Sequence, residues 1–510
     1  MKNNALDRFL KDNDKIFKDR GLKHRGLPYL GRGVEKKEFS GYTKRVEEAF
    51  GLLGDGLGVL VNEKNKNKTS HYLIGGDPIE FPMFPLCKEY MEKCINRKDL
   101  YVYTSAKGDN ETKGEIIEYF IREGIKSPRG LNIDNITFTM ATTQAFDVII
   151  KTIARPYDVV LMTGPTYGLF TFIPERNGVN TEILPLSQID GWFINPKKLS
   201  KSIDNINKKL IEKYSSLKLS YQPRVVAFFN ANPNNPIGSV MGNRQKELLR
   251  QIGRVCKEKG VFVIDDIIYR DLTFDRDNIA LPMATMEELF DNVITITGLS
   301  KSYGLASIRA GVVLANENII EAINNYTFHV MDSLPIIQQR ALAGAFNASD
   351  KRYRCYNKYF SSIIEQYKYR LELLKALVNG VKSISNLSMK LRIERDIKKA
   401  NLKNEEEVLK GIPKVDFVKG TMAQSGFFSL LDFTKLKGTK YGDRTITTEE
   451  EIFKYMYEQE KIKVLIGKSF AWSEKDKQLV VRVTFALESL ELIQSLGAMN
   501  SCLRKLQEKN

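Results

Sequence analysis

Histidine is almost missing from this chain: His24, His71 and His329 are the only three in 510 residues. None is paired at ligand spacing, so a histidine-based zinc site is not expected and no metal is assigned. Cysteine is also scarce. Cys87, Cys94, Cys256, Cys355 and Cys502 are scattered without a Cys-x-x-Cys pair, which suits reduced thiols in a cytoplasmic setting rather than a disulfide framework. No run of about 18 apolar residues occurs, so no membrane span is expected. The first residues, MKNNALDRFLKDNDKIF, have no apolar core of signal-peptide length, so no secretion is expected either.

What is present reads as a globular enzyme. At roughly 100 to 200 residues per domain the length suits two large domains or three smaller ones. Hydrophobic residues at 42% and charged residues at 27% exclude a disordered or fibrous chain. Lysine plus arginine (78) exceeds aspartate plus glutamate (62) by 16, which raises the question of nucleic acid or anionic lipid. Much of that excess is diffuse, as in 62–68, so it reads as solvated surface, with no nucleic-acid or membrane partner.

Apolar, β-branched runs at 136–139, 158–162, 224–229, 261–264, 293–297 and 310–314 read as buried strands, most of them separated by stretches long enough for helices. That alternation predicts an α/β domain with a mainly parallel central sheet flanked by helices. From about residue 340 the pattern changes: a long helical stretch over 336–378 is followed by a charged segment over 392–413 and short strands at 426–432 and 479–485. The division expected is an N-terminal arm (1–45), a large α/β domain (100–339), and a smaller α+β domain built from 46–99 and 340–510.

Several segments fall at strand ends, where open parallel sheets place their ligands. Asn232-Pro233-Asn234-Asn235-Pro236-Ile237-Gly238 is a rigid turn in which Asn235 can present its amide to a polar ligand; taken alone it reads equally as a plain turn. Asp266 closes an apolar strand and, if buried, needs a cationic or hydrogen-bonding partner; the other reading is a solvent-facing strand-end carboxylate. Lys301, within Gly298-Leu299-Ser300-Lys301-Ser302-Tyr303-Gly304, would become a nucleophilic amine if desolvated near positive charge, yet most loop lysines are simply solvated. Arg309, just before the next strand, could hold a phosphate bidentately.

In this order the segments resemble the fold-type I pyridoxal-phosphate enzymes, in particular the class I/II aminotransferase family. Asn232 to Gly238 is similar to that family's Asn-Pro-x-Asn-Pro-Thr-Gly signature, with Ile237 in place of threonine. Asp266 and Tyr269 match its Asp-x-x-Tyr element, and Ser300-Lys301 with Arg309 and Gly311 match its Ser-Lys and Arg-x-Gly core. Softer matches are Gly76 near the substrate carboxylate, Tyr103 reaching the cofactor phosphate of a partner subunit, Thr142 and Thr143 in a phosphate-cradling turn, Tyr167 stacking on the pyridine ring, and Arg482 gripping the substrate α-carboxylate. Two departures stand out. Ala141 replaces a glycine of the phosphate turn, and Gly298 replaces a serine that binds phosphate in many relatives.

The resemblance implies an aspartate-aminotransferase-like fold, pyridoxal 5'-phosphate held as a Schiff base on Lys301, and a homodimer with shared active sites. Asp266 would keep the ring nitrogen protonated, Asn235 and Tyr269 would hold the phenolic oxygen, and Ser300, Arg309, Thr142, Thr143 and Tyr103 would serve the phosphate. The implied reaction moves an amino group between an amino acid and a 2-oxo acid. A lyase or decarboxylase using the same residues is the alternative, because the cofactor supplies the electron sink in each case. No arginine shortly precedes Gln338, which disfavours a strict aspartate enzyme. A transcriptional regulator on this fold would carry a winged helix first, and residues 1–65 show no such pattern.

Overall fold

All six apolar runs become strands of a single seven-stranded sheet, in a computed structural model that describes residues 70–76, 81–216, 219, 221–473 and 477–508. The expected arm (1–45), the lysine-rich run 62–68 and His24 lie outside the described residues. The strands are β1 (Ile136–Thr139), β2 (Val159–Gly164), β3 (Asn180–Pro185), β4 (Val225–Ala231), β5 (Phe262–Asp266), β6 (Val293–Gly298) and β7 (Gly311–Leu314), in the spatial order β1-β7-β6-β5-β4-β2-β3. Every pairing is parallel except the two made by β7, which runs against both β1 and β6. β2 and β6 are buried at every residue, as strands covered on both faces must be. β3 went unforeseen because it is an edge strand: its Asn-Thr-Glu-Ile-Leu-Pro sequence is half-exposed and carries its proline at the end, where no ladder hydrogen bond is lost.

Helices Ala141–Ile153, Gly168–Arg176 and Glu317–Met331 bring Phe146, Phe170 and Ile320 into one core with Phe229, Ile264 and Ile296 of the sheet. Phe146 and Phe170 stack with ring centres 4.5 Å apart, and Phe229 meets both edge-on. This core fixes where the strands end.

The helical stretch expected over 336–378 consists of two helices, Ile336–Ala345 and Asp350–Asn379. The break has a hydrogen-bond cause. Asn347 Nδ2 donates to the Ala343 carbonyl (2.7 Å), and the Ser349 hydroxyl accepts from Arg352 N (3.1 Å), so the two side chains satisfy the end of one helix and the start of the next. The charged segment holds helix Leu387–Lys399, which buries Ile393 and Ile397, and helix Glu405–Lys410, which buries Val408.

A second, antiparallel sheet is formed by β8 (Asp416–Phe417), β9 (Phe428–Asp432), β10 (Leu465–Ile466) and β11 (Val480–Thr484), in the order β10-β11-β9-β8. Arg482 sits on β11 between Leu430 and Leu465. Among the described residues no helix is long and apolar enough to cross a membrane.

Candidate functional site

Six of the seven central strands run one way, so their C-terminal ends gather at one edge. There 140–143, 165–167, 232–238, 267–269 and 299–304 follow β1, β2, β4, β5 and β6. β7 reverses. Its first residue, Gly311, pairs with Gly298, the last of β6, and this brings Arg309 back to the same edge.

Two adjacent aspartates end β5, and strand alternation sends them to opposite faces. Asp265 is fully buried and accepts from Asn230 Nδ2 and Met283 N, each at 2.7 Å. Burial pushes its carboxyl up to about 6, partly offset by those two donors. Asp266 is buried with a single donor, Ile268 N at 3.0 Å. Burial pushes it up to about 7, the Ile268 amide opposes the rise, and Asp265 adds to it. No cation among the described residues forms an ion pair with Asp266.

Lys301 Nζ donates to the Gly76 carbonyl at 2.9 Å. Gly76 is closely packed here: a Cβ on it would lie 3.3 Å from the Phe428 ring, a tight approach, and 3.5 Å from Lys301 Nζ, an ordinary contact. The Phe428 ring in turn faces the Arg482 guanidinium, whose Cζ stands 3.9 Å from the ring centre. Arg482 donates from Nη1 to Asn235 Oδ1 (3.4 Å) and from Nη2 to the Ile74 carbonyl (3.0 Å), both neutral acceptors, while its buried Nε has no protein partner. Burial lowers its pKa to about 10, against the pull of Tyr269 and Tyr167. No carboxylate among the described residues forms an ion pair with it. Tyr269 is buried, lies edge-on to Phe427 and Phe428, and with Asn235 and Phe428 lines a small cavity. Tyr167 is half-buried and edge-on to Phe170, immediately before helix Gly168–Arg176. Of the side chains singled out in the sequence, Lys301 meets Gly76, Arg482 meets Asn235, Asn235 and Tyr269 line one cavity, and Tyr269 and Tyr167 both act electrostatically on Arg482.

Farther along the edge, Thr142 and Thr143 form the first turn of helix Ala141–Ile153 and are half-buried. The free amides of such a turn suit an anion. The exposed Arg309 reaches it, with Nη2 3.5 Å from the Met140 carbonyl and Nη1 3.0 Å from the Ala306 carbonyl. Ala141 has φ +62°, the left-handed conformation a glycine would adopt without a Cβ penalty, so the backbone path is retained despite the substitution. Ser300 is buried and its Oγ has no hydrogen-bond partner among the described residues. Gly298 has a steric reason. A Cβ there would lie 2.5 Å from the Ala310 carbonyl and 3.1 Å from Gly311 Cα, so this strand pair leaves no room for a serine. Tyr103 stands in solvent, 90% exposed beside Tyr101 at 83%.

Three participants escaped the sequence reading. Phe428 is one of two adjacent phenylalanines opening a strand, a pattern that reads first as core. Ile74 acts through its carbonyl, which no sequence pattern reveals. Asn234 donates to the Pro165 carbonyl at 3.4 Å and so ties the loop after β4 to the loop after β2.

Comparison with known proteins identifies the family and the fold. The model of the family described as aminotransferase class I and II matches residues 84–496. A probable N-acetyl-LL-diaminopimelate aminotransferase of Bacillus subtilis is 28% identical over 46% of this chain and 52% of its own length. The cystathionine beta-lyase PatB of the same organism is 25% identical over 45% of this chain and 54% of its own. The chain thus matches little more than half the length of these curated relatives. The crystal structure of an aspartate aminotransferase from Rhizobium meliloti shares the fold at a TM-score of 0.68, covering 94% of this chain and 99% of that one at 18% identity. With the family model spanning most of its length and the same fold beneath, the chain belongs to the class I and II aminotransferases.

Proposed function

We propose that this chain transfers an amino group between an amino acid and a 2-oxo acid, with Lys301, Asp266 and Tyr269 at the reacting atoms. Pyridoxal 5'-phosphate is the cofactor of the family, and the residues present fit it. The observation that carries the reading is a pair of buried groups, each without a counter-ion among the described residues. Asp266 is a carboxyl without a cation, and Arg482 is a guanidinium that meets only neutral acceptors. A protonated ring nitrogen suits the first and a substrate carboxylate the second. The unpartnered Ser300 hydroxyl, the Arg309 guanidinium and the open helix turn at Thr142 and Thr143 suit a phosphate in the same way.

When bound, the cofactor supplies an electron sink for the pair left at the substrate Cα. The chain's own groups supply the rest. Lys301, held by the Gly76 carbonyl, is the amine that would take the Cα proton and return it to the cofactor carbon on the far side of the shared nitrogen. Asp266, buried at the end of β5, would pass its proton to the cofactor's ring nitrogen and remain as the carboxylate facing that positive charge. Asn235 and Tyr269 bring an amide and a phenol to the same small cavity, where they orient an oxyanion, and Tyr167 offers a flat face beside them. Arg482 fixes the carboxylate and thereby decides which Cα bond is broken. The solvent-exposed Tyr101, Val102 and Tyr103 support a homodimer in which Tyr103 serves the neighbouring subunit's phosphate.

The test is to load the protein with pyridoxal phosphate, add each of the twenty amino acids, and follow both the cofactor spectrum and the carbon product. A 2-oxo acid together with the amine form of the cofactor supports the proposal, and Lys301→Ala should abolish turnover. Release of ammonia, sulfide or carbon dioxide without that conversion would replace the reading with the lyase alternative, which the likeness to a cystathionine beta-lyase favours. Full activity in Lys301→Ala would overturn both.

A further inference from the structure

The way Arg482 is seated goes beyond its role as a carboxylate anchor. Arg482 and Phe428 lie on neighbouring antiparallel strands, where Leu430 opposes Arg482 and Phe428 opposes Thr484. They are therefore diagonal neighbours on one face, close enough for long and aromatic side chains to meet. The guanidinium carbon stands over the ring, 3.9 Å from its centre, while its two terminal nitrogens donate to Asn235 and Ile74. The far edge of the same ring reaches within 3.3 Å of where a Gly76 side chain would begin, and the Gly76 carbonyl holds Lys301. One phenyl ring thus meets the Arg482 guanidinium on its face and borders Gly76, whose carbonyl accepts from Lys301.

We propose that Phe428 is the positioning residue for Arg482: its ring is the floor that holds the guanidinium flat, excludes water from one face, and so sets the affinity for a substrate carboxylate. This rests on the reading of Arg482 given above. A cation over an aromatic face gains up to a few-fold to thirtyfold in an equilibrium, more when desolvated, and Arg482 is buried. A leucine fills space but has no ring face to offer. A tyrosine keeps it.

Acetate and its uncharged isostere acetamide, mixed in one sample with the cofactor-loaded protein, report on this directly through saturation transfer to their methyl resonances. The unmodified protein should bind acetate and discriminate against acetamide. Phe428→Leu should weaken acetate binding by about threefold to thirtyfold, with cofactor content and circular dichroism unchanged, and Phe428→Tyr should stay within about twofold of the original by keeping the ring face. If Phe428→Leu does not accumulate folded, Phe428→Met carries the same expectation. Acetate affinity unchanged in the leucine or methionine variant, with loss in Arg482→Leu, would overturn the role of Phe428 and leave the carboxylate anchor standing. Unchanged acetate binding in Arg482→Leu would overturn the anchor itself, and the inference with it.

Discussion

Asp266→Asn, studied in the cofactor-free protein, separates a buried charge from a merely well-placed one. An unfolded aspartate titrates near 3.9, whereas burial raises Asp266 to about 7. Between those values the folded chain keeps a proton that the unfolded chain has released, so stability falls as pH rises from about 4 to about 7 and is level outside that window. About three pH units at ~1.4 kcal/mol each puts the cost of the buried charge at about 4 kcal/mol above pH 7. Asparagine carries no charge and keeps an acceptor for Ile268 N. Urea unfolding of both proteins from pH 4 to pH 8.5 should give similar stabilities at the acid end and a variant more stable by ~2–4 kcal/mol at pH 8, local relaxation accounting for the lower figure. Taking the difference between the two proteins cancels other titrating groups such as His71, whose pKa burial lowers. Saturating pyridoxal phosphate should shrink or invert the gap, because the bound cation then stabilises the carboxylate of the original protein. A difference independent of pH, or an original protein that is the more stable at pH 8 without cofactor, would refute the reasoning.

Other substitutions test neighbouring features. Gly298→Ser, which would place a hydroxyl where many relatives carry one, should destabilise the fold by ~1–3 kcal/mol in a thermal melt rather than improve phosphate affinity, because its Cβ meets the Ala310 carbonyl. Ala141→Gly should raise stability by roughly 0.5–1 kcal/mol, since the left-handed backbone at 141 penalises a Cβ; a loss in the same melt would show that the alanine methyl packs usefully. For the subunit arrangement, co-refolding Tyr103→Ala with Lys301→Ala should yield activity well above that of either variant alone, because one site of each mixed dimer then has both residues intact. Activity no higher than that of the single variants would place Tyr103 outside the neighbouring site.

Much of this was legible beforehand because open parallel sheets put function at strand ends, where it leaves marks in sequence. The runs before Asn232, Asp266 and Gly298 are mainly apolar and β-branched, and each motif follows within a few residues. What was obscured has physical reasons. β3 is an edge strand with one wet face, so its composition resembles a loop. The break at 346–349 depends on Asn347 and Ser349 finding particular backbone partners, and nothing in the apolar periodicity of 336–378 announces it. Gly298 reads as a missing ligand in the chain and as a steric necessity once its antiparallel partner is known. Phe428 was invisible as a functional residue because its significance lies in what crosses above it, a relation between strands more than fifty positions apart.

The reversal of β7 has a consequence for how such chains tolerate change. Lys301 and Arg309 share a single connection, residues 299–310, that leaves the sheet at Gly298 and re-enters opposite it at Gly311. The count of residues between them therefore works as a ruler, converting a separation along the chain into a gap between two positive groups in space. Lengthening that connection by one residue would misplace the pair even with every side chain retained, whereas an insertion beyond Leu314, at the opposite end of the same strand, would leave the spacing untouched.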